Sequence, residues 1–119
     1  MGLERGGSRL TRSNQWTEEE LVFLWDHYQF VAQCASATRA VEIDWLYRMM
    51  NRLSEGERRP FHPRTLQSIR AKWANMERLA TEGDDATRVT KAERDVATRF
   101  AEETDRSSYV RTLYNAYLW

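Results

Sequence analysis

The sequence predicts an all-α fold: a three-helix bundle with two additional C-terminal helices. Three observations carry the prediction. Apolar residues recur at intervals of three and four in successive segments, as they do along one face of a helix. Two Thr-x-x-Glu pairs, Thr17 with Glu20 and Thr90 with Glu93, have the spacing of a capping box, in which each side chain satisfies the other residue's free backbone N–H. No segment reads as a strand.

The first helix starts at Thr17 and ends near Gln33. Trp16 and Leu21 occupy hydrophobic-staple positions around the capping box, and Glu18, Glu19 and Glu20 suit the positive end of the helix dipole. Leu21, Leu24, Trp25 and Tyr28 form its apolar stripe, and residues 34–41, small and polar, read as a loop. A second helix is predicted from about Glu42 to Leu53, with Trp45, Met49 and Leu53 spaced by four and Leu46 and Met50 beside them. Pro60 and Pro63 exclude a continuous helix into the next segment. A third helix is predicted from about Thr65 to Ala80 on the stripe Leu66, Ile69, Trp73, Met76. Gly83-Asp84-Asp85 breaks the chain. A fourth helix follows Thr90, with Ala92, Val96 and Phe100 as its stripe. Asp105 to Ser108 reads as a break before a fifth helix carrying Tyr109, Leu113 and Tyr117 beside Val110, Tyr114 and Leu118.

This divides the chain into a flexible basic arm (1–15), a three-helix domain (16–80) and a C-terminal helical extension (84–119). The extension either packs on the domain or serves as an interaction surface. Charge is unevenly spread although Lys+Arg and Asp+Glu are equal at 18 each. Residues 17–44 hold one arginine against six acids, whereas residues 48–73 hold six arginines and a lysine against Glu55 and Glu57. A neutral total argues against strong non-specific nucleic-acid binding, and the local basic stretch leaves room for a focused anion-binding face.

Trp16-Thr17-Glu18-Glu19, Trp45 at the start of the second helix, and the run Arg64-Thr65 through Lys72-Trp73 together resemble a Myb/SANT repeat, a helix-turn-helix variant. The resemblance covers about 65 residues. Both interhelical loops are longer than in a compact repeat, so the chain looks more like the divergent Myb/SANT-like domains. It also has some likeness to telomere-associated Myb domains that act through proteins. The resemblance implies that Trp16, Trp45 and Trp73, one per helix, meet in a common core with Arg70 facing outward.

It further implies a nuclear location and a DNA-binding or chromatin-associated regulatory role, in which the third helix enters the major groove. Carried over by position, the base-facing residues are Arg70, Ala71, Ala74 and Asn75, and the two alanines offer only methyl contacts. The DNA-binding candidates are Arg64, Gln67, Arg70, Lys72, Asn75, Arg78, Arg58 and Arg59, several of them as phosphate contacts. Arg5, Arg9 and Arg12 could trail into a minor groove. The alternative is a protein–protein interaction module scaffolding a nuclear complex. Its partner-binding candidates are Val22, Phe23 and Phe30, which lie off the main stripe of the first helix, with Tyr109, Leu113, Tyr114, Tyr117 and Trp119 of the tail. That tail either folds back on the first helix or meets a protein partner or a second copy.

No cofactor, metal, membrane or small-molecule substrate is expected. His27, His62 and Cys34 lack metal-ligand spacing, and His27 reads as a packing or surface residue. No apolar run reaches the length needed to span a bilayer. No phosphate loop or catalytic constellation is placed, so enzymatic activity is not expected.

Overall fold

The structure, a computed structural model, describes residues 15–56 and 59–118. Among them are five α-helices and no strand: α1 (Glu18–Ala32), α2 (Arg39–Leu53), α3 (Leu66–Glu82), α4 (Lys91–Arg99) and α5 (Glu103–Tyr117), with a 3-10 turn at Gly83–Asp85. No helix is long and apolar enough to cross a membrane.

Local chemistry explains three of the helix starts. Thr17 and Thr90 form reciprocal capping boxes with Glu20 and Glu93. Thr65 Oγ1 accepts from the Ser68 N–H at 3.0 Å and caps α3. The two other starts differ from expectation. The helix α2 begins at Arg39, three residues ahead of Glu42, and its N-cap Thr38 makes no side-chain hydrogen bond. The helix α5 begins at Glu103 and runs through 105–108, so the predicted break is instead at Phe100–Glu102. At its other end α3 continues past Ala80 to Glu82 and stops at Gly83, whose φ of 61° suits a residue without a Cβ.

The helix α1 is central. It packs against each of the four other helices, while α2 lies on α3 and α3 on α4. Six consecutive residues, Glu20 to Trp25, are buried, and a helix covered on every face must be enclosed by neighbours on all sides. Val22 and Phe23, expected off the main stripe and open to a partner, are 0% and 2% exposed. Phe23 is closed in by Trp45 of α2, Phe61 of the connection and Tyr114 of α5, with ring centroids 5.8–6.1 Å apart.

Trp73 belongs to the core cluster, and Trp16 and Trp45 pack against it. Trp73 is buried, and Trp45 stacks on His27 at 4.5 Å. Trp73 meets the same imidazole edge-on at 6.4 Å. Trp16 lies half-buried beneath the Arg64 guanidinium at 5.0 Å and the Lys72 ammonium at 5.9 Å.

Candidate interaction surfaces

Most of the polar groups expected to reach DNA are engaged inside the molecule. Arg64 is 6% exposed. Its Nε and Nη2 donate to the two oxygens of Glu20 at 2.9 and 2.7 Å, and Nη2 also reaches the Gln15 carbonyl at 2.8 Å. Glu20 in turn accepts from the backbone N–H groups of Thr17 (2.9 Å) and His62 (3.0 Å). A paired, fully hydrogen-bonded carboxylate is the form in which such a charge can be buried.

A second buried carboxylate, Glu93, is 0% exposed and draws Lys72 Nζ to 2.5 Å. Asn75 Nδ2 donates to both Glu93 oxygens at 3.0 and 3.2 Å, and Asn75 Oδ1 accepts from Arg78 at 2.5 Å. Two ion pairs, Glu20 with Arg64 and Glu93 with Lys72, thus meet on one indole, with both cations set against Trp16. Arg59 donates to the carbonyls of Leu53 (3.3 Å) and Tyr117 (2.5 Å), tying the interhelical connection to the end of α5.

Five of the residues expected on a DNA face have partners within the molecule. Arg64, Lys72, Asn75, Arg78 and Arg59 serve interior or intramolecular contacts. Gln67 and Arg70 remain exposed, with no side-chain partner among the described residues. Ala71 is exposed and Ala74 half-buried, so Arg70 alone of the four carried-over reading positions offers a free hydrogen-bonding group. Nearby, Arg52 of α2 is exposed and unpaired among the described residues, Arg48 pairs with Asp44 at 3.1 Å, and Arg39 pairs with Glu77 at 3.4 Å. Arg58, Arg5, Arg9 and Arg12 lie outside the described residues.

Several residues of the expected partner face are enclosed by the fold. Val22, Phe23 and Leu113 are buried. Tyr109, Tyr114 and Tyr117 are half-buried and packed on the core, with Tyr109 against Phe100 at 5.0 Å and Tyr117 against Phe61 at 6.2 Å. Trp119 lies outside the described residues. Phe30 is the exception: it is 61% exposed near the end of α1, and Val41 at the start of α2 is 59% exposed.

These two residues flank the corner where α1 passes into α2. The corner is pinned by His27, whose Nε2 lies 2.9 Å from Glu42 Oε1. Burial holds the His27 pKa below its ordinary value, against the opposing pull of Glu42. The shift favours the uncharged ring, in which an Nε2–H tautomer is the one that donates to the Glu42 carboxylate. On the α5 side of Phe30 a small pocket is lined by Asp26, His27, Phe30, Gln33, Glu103, Arg106 and Ser107. Burial raises the Asp26 pKa, partly offset by the Arg106 guanidinium. Composition and spacing gave no signal for this pocket, because it brings the end of α1 against the start of α5.

Among the described residues no three His, Cys, Asp or Glu side chains gather as around a metal ion. Compared with known proteins, the chain matches no family model, no curated protein and no solved structure at a significant level.

Proposed function

We propose that this chain is a non-enzymatic, Myb/SANT-like protein-interaction module of a nuclear, chromatin-associated complex, docking through the corner formed by the end of α1 and the start of α2. The supporting observation is the internal use of the third helix's polar groups: Arg64, Lys72 and Asn75 are held by the buried carboxylates Glu20 and Glu93. A helix so committed has little left with which to read base edges. Phe30 and Val41 are the most exposed of the large apolar side chains among the described residues and would supply the protein contact.

A second reading, duplex DNA association, is favoured by the outward placement of Gln67 and Arg70 on α3 and of Arg52 on α2. Two measurements separate the readings. Under the first, Phe30→Asp abolishes capture of a nuclear protein partner while the circular dichroism spectrum and melting temperature stay unchanged, and labelled duplex DNA shows no binding at low salt. Under the second, the protein binds duplex DNA with an affinity that falls steeply as salt rises and is lost in Arg70→Ala with Arg52→Ala. That result, with capture retained by Phe30→Asp, overturns the docking proposal.

A further inference from the structure

We propose that α5 is a releasable strap, which lets go of α1 as one unit while α1–α4 stay folded, uncovers Phe23 and Phe61, and is latched closed by Arg59. The inference is independent of where a partner docks.

The helix α5 is attached along one side. It packs mainly on α1, whereas α3 packs on α1, α2 and α4. Every other helix places a side chain at 0% exposure, among them Leu24, Leu46, Ile69 and Glu93, but the buried residues of α5, Arg106, Val110 and Leu113, keep 4–6%. The rest of its seal is made by half-buried rings: Tyr114 stands against Phe23 at 5.9 Å and Tyr117 against Phe61 at 6.2 Å. Two polar ties join it to α1. The Tyr109 hydroxyl donates to Glu18 at 3.2 Å in an exposed position, and Arg106 pairs with Asp26 at 3.6 Å. An ion pair that gives up its hydration adds little net stability.

The two ends of α5 supply a hinge and a latch. Phe100 is buried and its carbonyl accepts from Trp25 Nε1 at 3.1 Å, so the chain is pinned to α1 up to that residue. Ala101 and Glu102 follow, both exposed, and Glu102 gives α5 no side-chain cap. Rotation at these two residues moves α5 and leaves α4 in place. At the far end no basic residue of α5 lies in its last turn. Arg59 brings the missing cation from the connection before α3: it donates to the Tyr117 carbonyl at 2.5 Å, and its guanidinium lies 5.4 Å from the Tyr117 ring centre. A fifteen-residue helix without packing is marginal in water, so a released α5 unwinds and its amides exchange with solvent.

Hydrogen exchange of the 15N-labelled full chain, followed at several urea concentrations below the unfolding transition, tests the strap. The amides of residues 107–117 are expected to share one protection factor, at least about tenfold below the slowest amides of α1 and α3. Its dependence on urea should be shallower, because release exposes less surface than unfolding. Ile69→Val, in α3, should lower the slowest α1 and α3 protection about fivefold and leave α5 unchanged, since the closed and the released chain both contain that core. Arg59→Ala should lower α5 protection about fivefold, comparable to one lost hydrogen bond. An α5 factor equal to that of the core, or one that falls with it in Ile69→Val, means that α5 leaves only when the whole chain unfolds and overturns the proposal. Protection that declines gradually from residue 107 to residue 117 is fraying of a helix end and overturns it as well, as does unchanged α5 protection in Arg59→Ala. If Arg59→Ala fails to fold, the unaltered chain and Ile69→Val decide.

Discussion

The starts of α1 and α4 are built on the same four residues of logic and held in different ways. In each, a threonine and a glutamate three positions on cap one another, and the glutamate is fully buried and meets a cation from the region of α3. At α1 the cation is Arg64, itself 4% exposed at the side chain and bound through two nitrogens to both oxygens of Glu20. Thr17 Oγ1 adds a bond to the Pro60 carbonyl at 2.7 Å, so the start of α1 and the connection before α3 are fastened together. At α4 the cation is Lys72, 21% exposed, with the neutral Asn75 sharing Glu93. Water can approach the second cluster and hardly the first. One local motif therefore supports two electrostatic situations, and the cation's access to solvent sets how much each carboxylate depends on it.

The largest expected effect tests that dependence directly. Arg64→Ala leaves Glu20 charged and enclosed without its partner and should cost about 3–5 kcal/mol, the range for breaking a buried pair from one side. Lys72→Ala should cost about 1–2 kcal/mol, because Asn75 still donates to Glu93 and water can replace the ammonium. Urea denaturation of the two variants measures the difference, and equal losses would break the distinction between the clusters. Next in size is a rescue. The double change Glu20→Leu with Arg64→Met removes both buried charges, and it should recover at least half of what Arg64→Ala loses, although Thr17 and His62 lose an acceptor.

The contrast also marks how far the sequence could be read. The starts of α1, α3 and α4 were legible because their signals are local: Thr17, Thr65 and Thr90 cap the turn that follows them. The starts of α2 and α5 were not, since Thr38 and Glu102 make no side-chain cap and those helices rely on tertiary packing. The apolar character of Val22 and Phe23 was plain. That Tyr114 and Phe61 would cover Phe23 was not, because both come from distant parts of the chain. Arg64 beside Thr65 reads as a surface cation until Glu20, 44 positions earlier, is known to face it. The candidate site suffered most from this. Patterns locate a basic helix face, whereas the buried carboxylates that neutralise it sit in other helices, as does the pairing of Asp26 with Arg106 across α1 and α5.

A smaller effect concerns acid. The folded pKa of His27 lies below its ordinary 6.5 because burial disfavours the charged ring. As pH falls below 6.5 the unfolded chain takes up a proton that the folded chain resists, so stability declines until the folded pKa is passed. His27→Phe keeps the stacking on Trp45 and should flatten this stretch of the stability–pH curve. Asp26, with a pKa raised by burial, acts with the opposite sign in the lower carboxylate range: there the folded chain binds the proton more readily, so falling pH through that range favours the fold. Melting curves collected across both windows separate the two groups, and an unchanged slope in His27→Phe would remove His27 from the corner's pH response.

The smallest expected effect lies two residues from Lys72. Arg70 shares α3 with that lysine but is exposed and unpaired among the described residues. Arg70→Ala should therefore change stability by no more than about 0.5 kcal/mol, the usual range for a surface substitution. Its urea midpoint should overlay that of the unaltered chain, while Lys72→Ala shifts its own to lower urea. Because the fold is indifferent to Arg70, any loss of ligand or partner binding in Arg70→Ala reports contact at that face and not a weakened helix. The same loss in Lys72→Ala could not be read that way, since Lys72 also holds α4 in place. A destabilised Arg70→Ala would mean that the outward face of α3 contributes to the fold, and the division between its engaged and free cations would have to be redrawn.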